Sequence, residues 1–234
     1  MCIRDSSVSS SAFVRVDENQ SQLWSILITG PEDTPYDSGA FIFDVMLTSD
    51  FPNKPPLVNL KTTGGGRVRF NPNLYNDGKV CLSLLGTWSG GEGEGWNAQH
   101  SSMLQVIVSI QSLIFVADPC FNEPGWEKDR GTDVGDKKDF EYSTGIKTAT
   151  LEWAILDHVK RLNRKKNNAA AKDGPFDEVL RAHFLNKRDH IITTLRSKWE
   201  REAKENENSP AGHLEKVKAK FTEVAEELSV LKEQ

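Results

Sequence analysis

The chain has 234 residues, 37% of them hydrophobic and 27% charged, enough to bury one full core plus appended elements without disulfide or metal staples. Lysine and arginine total 29 against 34 acidic residues, a formal charge of −5. That argues against a nucleic-acid binder, which needs an excess of phosphate-neutralising cations. Uncharged stretches such as 101–117 are too short and too polar to span a bilayer. The three cysteines (Cys2, Cys81, Cys120) and five scattered histidines match neither a disulfide framework nor a metal site. Such cysteine usage fits a reducing, cytoplasmic setting.

Residues 1–12 carry a serine run without periodicity and read as a disordered leader, 1–6 having the look of foreign sequence. Phe13, Val14 and Val16 predict a strand over 13–16. Turn residues 17–20 separate it from a second strand, Leu23–Thr29. In a third run Phe41, Phe43, Val45 and Leu47 share one face, with Asp44 and Thr48 on the other. Pro52, Pro55 and Pro56 force a loop before a short fourth strand, Leu57–Leu60. Consecutive strands with short links predict a four-stranded antiparallel meander.

Residues 61–97 lack periodicity yet hold Phe70, Leu74, Val80, Leu82, Leu85 and Trp96, the mark of an ordered functional segment. Ser101 or Ser102 can cap a helix to about Val116, with Leu104, Ile107, Val108 and Ile114 predicted on its buried side. Asp118-Pro119 ends it, and an irregular stretch runs to Asp136. Helical spacing returns near Phe140 and continues through Leu151, Ile155 and Val159 to the basic run 160–166. Pro175 suits a first helical position, ahead of Phe176, Leu180, Phe184, Ile191, Leu195 and Trp199 at helical spacing. Leu214, Val217, Phe221, Val224, Leu228 and Leu231 recur at alternating steps of three and four. Under three heptads favours a helix docked on its own domain or on a missing neighbour over a self-associating coiled coil. The predicted fold is α+β: the meander backed by a central helix, with C-terminal helices at one end. Its divisions are a leader (1–12), a core (13–166) and a helical extension (167–234).

The chemistry-bearing segment runs Arg69-Phe70-Asn71-Pro72-Asn73-Leu74-Tyr75-Asn76-Asp77-Gly78-Lys79-Val80-Cys81, then Leu82-Ser83-Leu84-Leu85-Gly86-Thr87-Trp88. Pro72 rigidifies a turn from which Asn73 projects an amide, and Asn76-Asp77-Gly78 makes a second turn needing a positive-φ residue. Cys81 follows Asn73 by eight residues. A fixed amide beside a thiol suits thioester exchange, in which a thiolate attacks a carbonyl and an N–H stabilises the oxyanion. Against this stands a small buried hydrophobe between Val80 and Leu82, the commonest fate of a free cysteine.

This segment resembles the active site of the ubiquitin-conjugating enzymes (E2s), with Asn-Pro-Asn in place of the family's His-Pro-Asn. Gly30-Pro31-Glu32-Asp33-Thr34-Pro35-Tyr36, Gly39-Ala40-Phe41, Phe51-Pro52-Asn53-Lys54-Pro55-Pro56 and Asp118-Pro119 match further family motifs in order. Leu85-Gly86-Thr87-Trp88, the glycine-rich insertion before Trp96 and Phe121-Asn122-Glu123-Pro124-Gly125 resemble the large E2/E3-hybrid class. The resemblance implies a UBC fold and a Cys81 that accepts ubiquitin as a thioester from an activating enzyme (E1). It implies oxyanion stabilisation by Asn73 when a lysine of a protein substrate attacks. Glu123 stands where the family has an aspartate orienting that lysine; a solvated loop acid is its other reading. Asn71 and Pro72 would be structural at the site, and Cys120 a packing residue. No cofactor is implied beyond the ATP that E1 consumes.

Several departures carry expectations. The family's E1-contacting helix is not legible before Phe13, which reads as a fragment of something longer. Asn53 and Trp96-Asn97-Ala98-Gln99 lack the apolar anchor and proline that RING-type ligases contact, so weak reliance on such ligases is expected. The insertion Gly90-Gly91-Glu92-Gly93-Glu94-Gly95 is a lid near Cys81 or a plain surface insertion, since two glutamates would repel phosphate. Two competing classes are a non-catalytic ubiquitin- or partner-binding module on the same fold and a cysteine hydrolase. The latter needs a histidine base, and His100 is the nearest in sequence.

Overall fold

The computed structural model describes residues 11–91, 93–166, 173–206 and 208–232; the leader expected over 1–12 lies outside them up to residue 10. Strands β1 (Ala12–Val16), β2 (Leu23–Thr29), β3 (Ala40–Met46) and β4 (Leu57–Leu60) form one antiparallel sheet in chain order. β1 begins inside the expected leader because Ala12 pairs with Ile28 and the Thr29 N–H donates to Ser11 C=O at 2.9 Å. Strand alternation gives the sheet two apolar faces. Trp24, Ile26 and Ile28, opposite Val45, Phe43 and Phe41, point to one side, while Leu27 opposite Ile42, with Phe13, points to the other.

The first face is covered by α1 (Met103–Ser109), which continues as a wider π-type turn to Ile114. Ser102 and Gln105 close a capping box at its start, which satisfies two otherwise orphan amides. Its buried side is Met103, Val106, Ile107, Ile110 and Ile114. Leu104 and Val108, expected inside, are 67% and 48% exposed, because the sheet-facing stripe runs through Val106 and Ile110 instead. The core is completed by Phe70, Leu74, Val80, Leu82 and Leu85 from the aperiodic segment.

The second face is covered by later helices. α2 (Asp133–Ala149) passes through a π-type segment, Thr150–Leu156, into α3 (Asp157–Lys166). α4 (Asp177–Asp189) likewise passes through His190–Leu195 into α5 (Arg196–Glu205), and α6 is His213–Val230. α2 starts before the expected Phe140. Thr132 caps it by accepting from the Gly135 N–H, and Asp133 and Asp136 favour its N-terminus. Gly135 disguised this start. A Cβ there would lie 2.0 Å from Asp129 O, so the close approach needs glycine. Pro175 precedes α4 by two residues rather than opening it.

Leu27 and Ala40 share their core with Leu151, Ile155, Leu162, Phe176, Phe184, Trp199, Phe221 and Leu228. Val217, Phe221, Val224 and Leu228 of α6 are therefore buried against their own chain, the first of the two docked readings rather than a missing neighbour, with Phe221 5.9 Å from the Trp199 ring. No helix among the described residues is long and apolar enough to cross a membrane.

Candidate active site

Segment 69–88 has one short 3₁₀ turn, Ser83–Leu85, and otherwise holds its shape through side chains bonded to backbone. Asn71 is wholly buried and uses all its polar capacity. Its Nδ2 donates to Tyr36 Oη at 2.9 Å and to Ile114 C=O at 2.8 Å, while its Oδ1 accepts from the Asn73 N–H at 2.9 Å and from Asn122 Nδ2 at 3.2 Å. One amide thus ties the hairpin, the end of the central helix, the loop at 122 and the turn itself. Tyr36 Oη donates on to Phe70 C=O at 2.9 Å. Burial pushes the Tyr36 phenol well above its usual range, with the Asn71 bond opposing, so it remains a donor.

Asn73 and Cys81 face each other through a reciprocal pair of bonds. The Cys81 N–H donates to Asn73 C=O at 2.8 Å, and Asn73 Nδ2 donates to Cys81 C=O at 2.8 Å. Between them Gly78 turns at φ 90, where a Cβ would lie 2.5 Å from Leu60 O and Asn59 Nδ2. The second turn thus has its positive-φ residue. After the cysteine, Thr87 Oγ1 donates to Val80 C=O at 2.6 Å and accepts from the Leu82 N–H at 3.0 Å, fastening the chain on both sides of Cys81.

Cys81 is 1% exposed. Burial pushes its thiol up, the cations of Lys79 and Arg69 pull it back, and Asp77 adds to the rise. The resting sulfur is therefore protonated at neutral pH. Arg69 joins Glu123 to this group: its Nη2 donates to Pro72 C=O at 2.7 Å and to Glu123 Oε2 at 3.2 Å. Cys120 is set apart from it, fully buried, with its N–H on Asp139 Oδ1 at 3.4 Å. Burial and the Asp139 carboxylate push that thiol up to about 12, which leaves it a packing residue.

The structure thus brings Asn71, Pro72, Asn73 and Cys81 together and reaches Glu123 through Arg69. Sequence reasoning missed Arg69, Asn122 and Thr87 as members of the site. All three stand inside the motif segments, but the Asn71–Asn122 pairing spans 51 residues and has no local signal. His100 is exposed on the turn before α1. The rings of His158, His183 and His190 are bonded to Ala40, Ser38 and Asp37 on the hairpin. Among the described residues no group of three or more His, Cys, Asp or Glu could hold a metal ion.

Around the site, Trp96 Nε1 donates to Pro52 C=O at 2.6 Å and its ring lies 5.7 Å from Phe51, stitching the two loops together. Asn53 is exposed. The glycine-rich insertion starts against Ser83, 2.4 Å from a Cβ built on Gly90, and folds over as the Gly91 N–H donates to Glu94 Oε2 at 2.9 Å. Glu92 lies outside the described residues.

A family profile described as ubiquitin-conjugating enzyme matches residues 3–149. The chain is 53% identical over 186 residues to the human protein named dual E2 ubiquitin-conjugating enzyme/E3 ubiquitin-protein ligase BIRC6, covering 80% of this chain and 4% of that one. It is 47% identical over 184 residues to probable ubiquitin-conjugating enzyme protein 17 of Caenorhabditis elegans, covering 79% and 24%. It is 45% identical over 200 residues to probable ubiquitin-conjugating enzyme E2 R521 of Acanthamoeba polyphaga mimivirus, covering 86% and 13%. The chain therefore spans under a quarter of each of these relatives. With the four-stranded meander, the central helix and the Asn73–Cys81 turn in place, the match over 3–149 settles the family: the chain belongs to the ubiquitin-conjugating enzymes.

Proposed function

We propose that this chain accepts ubiquitin from an E1 as a thioester on Cys81 and passes it to a lysine of a protein substrate. The observation that carries the reading is the reciprocal Asn73–Cys81 bond pair, which fixes an amide beside the only described thiol in the segment. One Nδ2 hydrogen of Asn73 holds Cys81 C=O; the second is left for the oxyanion that forms when the thioester carbonyl is attacked. In charging, the Cys81 sulfur forms a C–S bond to the ubiquitin carbonyl as the C–S bond to the E1 cysteine breaks, and the proton that Cys81 gives up ends on the departing E1 thiol. In discharge the neutral lysine amine forms a C–N bond as the C–S bond breaks. One amine proton ends on the departing Cys81 sulfur, whose raised thiol range suits it to keep that proton.

The chain itself needs no cofactor in this scheme, since E1 consumes the ATP. Transfer rather than hydrolysis is favoured by the histidine positions, three of which are committed to the 37–40 hairpin. Hybrid E2/E3 character is proposed from the dual name of the human relative. Exposed Asn53 and the engagement of Trp96 with Pro52 support weak reliance on RING ligases. Cys81 and Cys120, the cysteines among the described residues, are unpaired, which suits a cytoplasmic setting.

Incubating the full chain with E1, ATP and ubiquitin should give an adduct on a non-reducing gel that reductant removes and Cys81→Ala abolishes. Absence of any adduct sinks the reading. A chain that folds, binds ubiquitin and never forms the adduct would instead be a non-catalytic module, the alternative favoured by the 1% exposure of Cys81.

A further inference from the structure

Arg69 precedes the Asn-Pro-Asn turn by two residues, and its guanidinium meets three parts of the site. Nη2 donates to Pro72 C=O at 2.7 Å inside the turn and to Glu123 Oε2 at 3.2 Å on the facing loop. The guanidinium carbon lies 4.3 Å from the centroid of the Tyr75 ring, on the path to Cys81, a stacking that fixes a planar cation. The Arg69 and Glu123 side chains are 40% and 37% exposed, so an incoming side chain can reach their contact. A carboxylate offers two acceptor oxygens. Oε2 of Glu123 is held by Arg69, and Oε1 accepts no hydrogen bond among the described residues.

We propose that Arg69 is a positioning residue for the acceptor: it holds Glu123 by one carboxylate oxygen and so presents the other to the amine of a substrate lysine. This rests on the Cys81 thioester reading above. The glutamate is what makes the arrangement possible, since an aspartate carboxylate would stop one methylene short of the guanidinium.

The pairing also bears on the charge of the arriving amine. A lone carboxylate beside the thioester would hold lysine as an ammonium, which has no lone pair for attack. With the guanidinium bonded to it the pair is neutral overall, and the fixed cation disfavours a second positive charge. The amine is received closer to its nucleophilic form. The groups around the pair leave that balance intact. Tyr142 on α2 is pushed up by burial, with Arg69 opposing and Glu123 reinforcing. Cys120 is pushed up to about 12 by burial. Both are neutral over the working range. Lys79, over the same Tyr75 ring at 5.7 Å, and Asp77 face Cys81 with one charge of each sign.

The test is single-turnover discharge of preformed thioester to free lysine, followed from pH 6 to 9.5, on the full chain. In Arg69→Met the rising limb should move alkaline by roughly half to one pH unit, and the plateau rate should fall by roughly threefold or more, at least as far as in Arg69→Lys. Arg69→Lys should keep the limb and lose roughly threefold in rate, because an ammonium lacks the planar fork. In a Glu123→Gln background, Arg69→Met should give no further limb shift, because the arginine acts through that carboxylate. A parent-like Arg69→Met profile, or one lowered equally at every pH, overturns the proposal. Should Arg69→Met not fold, the Arg69→Lys rate loss must shrink in the Glu123→Gln background, and an undiminished loss overturns it. Failure of the parent chain to form any thioester refutes the function instead, a result distinct from both.

Discussion

Segment 69–88 and the layer formed by α3–α6 are held by different forces. In the segment, polar side chains bond to backbone: Asn71 to four partners, Asn73 to the Cys81 carbonyl, Thr87 to both neighbours of Cys81. In the layer, Phe176, Phe184, Leu195, Phe221 and Leu228 are buried to 1% or less and pack on the second face of the sheet. Hydrogen bonds are directional and fail one at a time, whereas apolar burial is additive and tolerant of small shifts. The contrast teaches that stability and site geometry are separable here: the layer sets how firmly the chain folds, and the segment sets where Cys81 sits.

The sharpest test of that separation is Phe221→Ala. Emptying a ring-sized space beside Trp199 should cost about 4 kcal/mol, read as a lower denaturant midpoint. Charging of Cys81 per folded molecule, well below the melting range, should match the parent. If charging collapses along with stability, the two regions are one cooperative device and the comparison is broken.

Asn71→Ala probes the other side. It leaves Tyr36 Oη, Ile114 C=O and the Asn73 N–H to find new partners in a dry site, a loss of about 3 kcal/mol. Unlike Phe221→Ala, it should slow charging at least tenfold in molecules that remain folded, as measured by the initial rate of adduct formation. A folded Asn71→Ala chain charging at the parental rate would show that the turn does not need its buried amide.

These two residues also show what could be read from the chain alone. Phe221 was legible because one period, 3.6 residues per turn, governs a long element and repeats its signal. The sheet was legible for a similar reason, with Phe41, Phe43 and Val45 alternating against Asp44. The site was legible only as a motif: Cys81 and Asn73 stood out by spacing, yet nothing local announces that Asn71 meets Asn122 or that Arg69 meets Glu123, 54 residues away. Leu104 and Val108 lie outside the core because an apolar residue on a helix is not by itself a sign of burial, and a stripe carries no record of which edge faces the sheet. The start of α2 was missed because Gly135, a poor helix former, is required there by the close approach of Asp129.

A smaller effect qualifies the picture of a purely apolar layer. His158 Nε2 lies 3.0 Å from Ala40 C=O and His183 Nε2 2.9 Å from Ser38 C=O, polar clasps between the helices and the hairpin. Burial pushes His158 down to about 4 and also lowers His183. For His158 the Ala40 bond and Asp157 oppose while Arg161 and His183 reinforce; for His183 the Ser38 bond and Asp37 oppose and Lys187 reinforces. Unfolded histidines titrate near 6.5, so below that value the unfolded chain binds more protons than the folded one. Stability is thus fully present above about pH 6.5 and is lost as pH falls toward 4. From pH 7 to 5 His158 should contribute a loss of about 2 kcal/mol, seen as a fall in the denaturation midpoint. His158→Gln, which keeps a donor for Ala40 without titrating, should fall by correspondingly less. An equal fall in both proteins would assign the acid sensitivity elsewhere.

The finest test separates the two regions within a single measurement. Thr87→Val preserves shape but removes the hydroxyl that bridges Val80 C=O and the Leu82 N–H. Thr87 is exposed, so water can replace both bonds and the global loss should be about 1 kcal/mol or less. Locally the consequence is larger, because the Leu82 amide next to Cys81 then depends on solvent. Hydrogen exchange should show the Leu82 amide opening roughly fivefold faster, which is about 1 kcal/mol of local stability. Amides at Val224 and Leu228 in α6 should keep the parent's protection. Exchange that rises equally in both places would mean that the loop and the helical layer open together, in which case the Cys81 neighbourhood derives its order from global folding rather than from its own side-chain bonds.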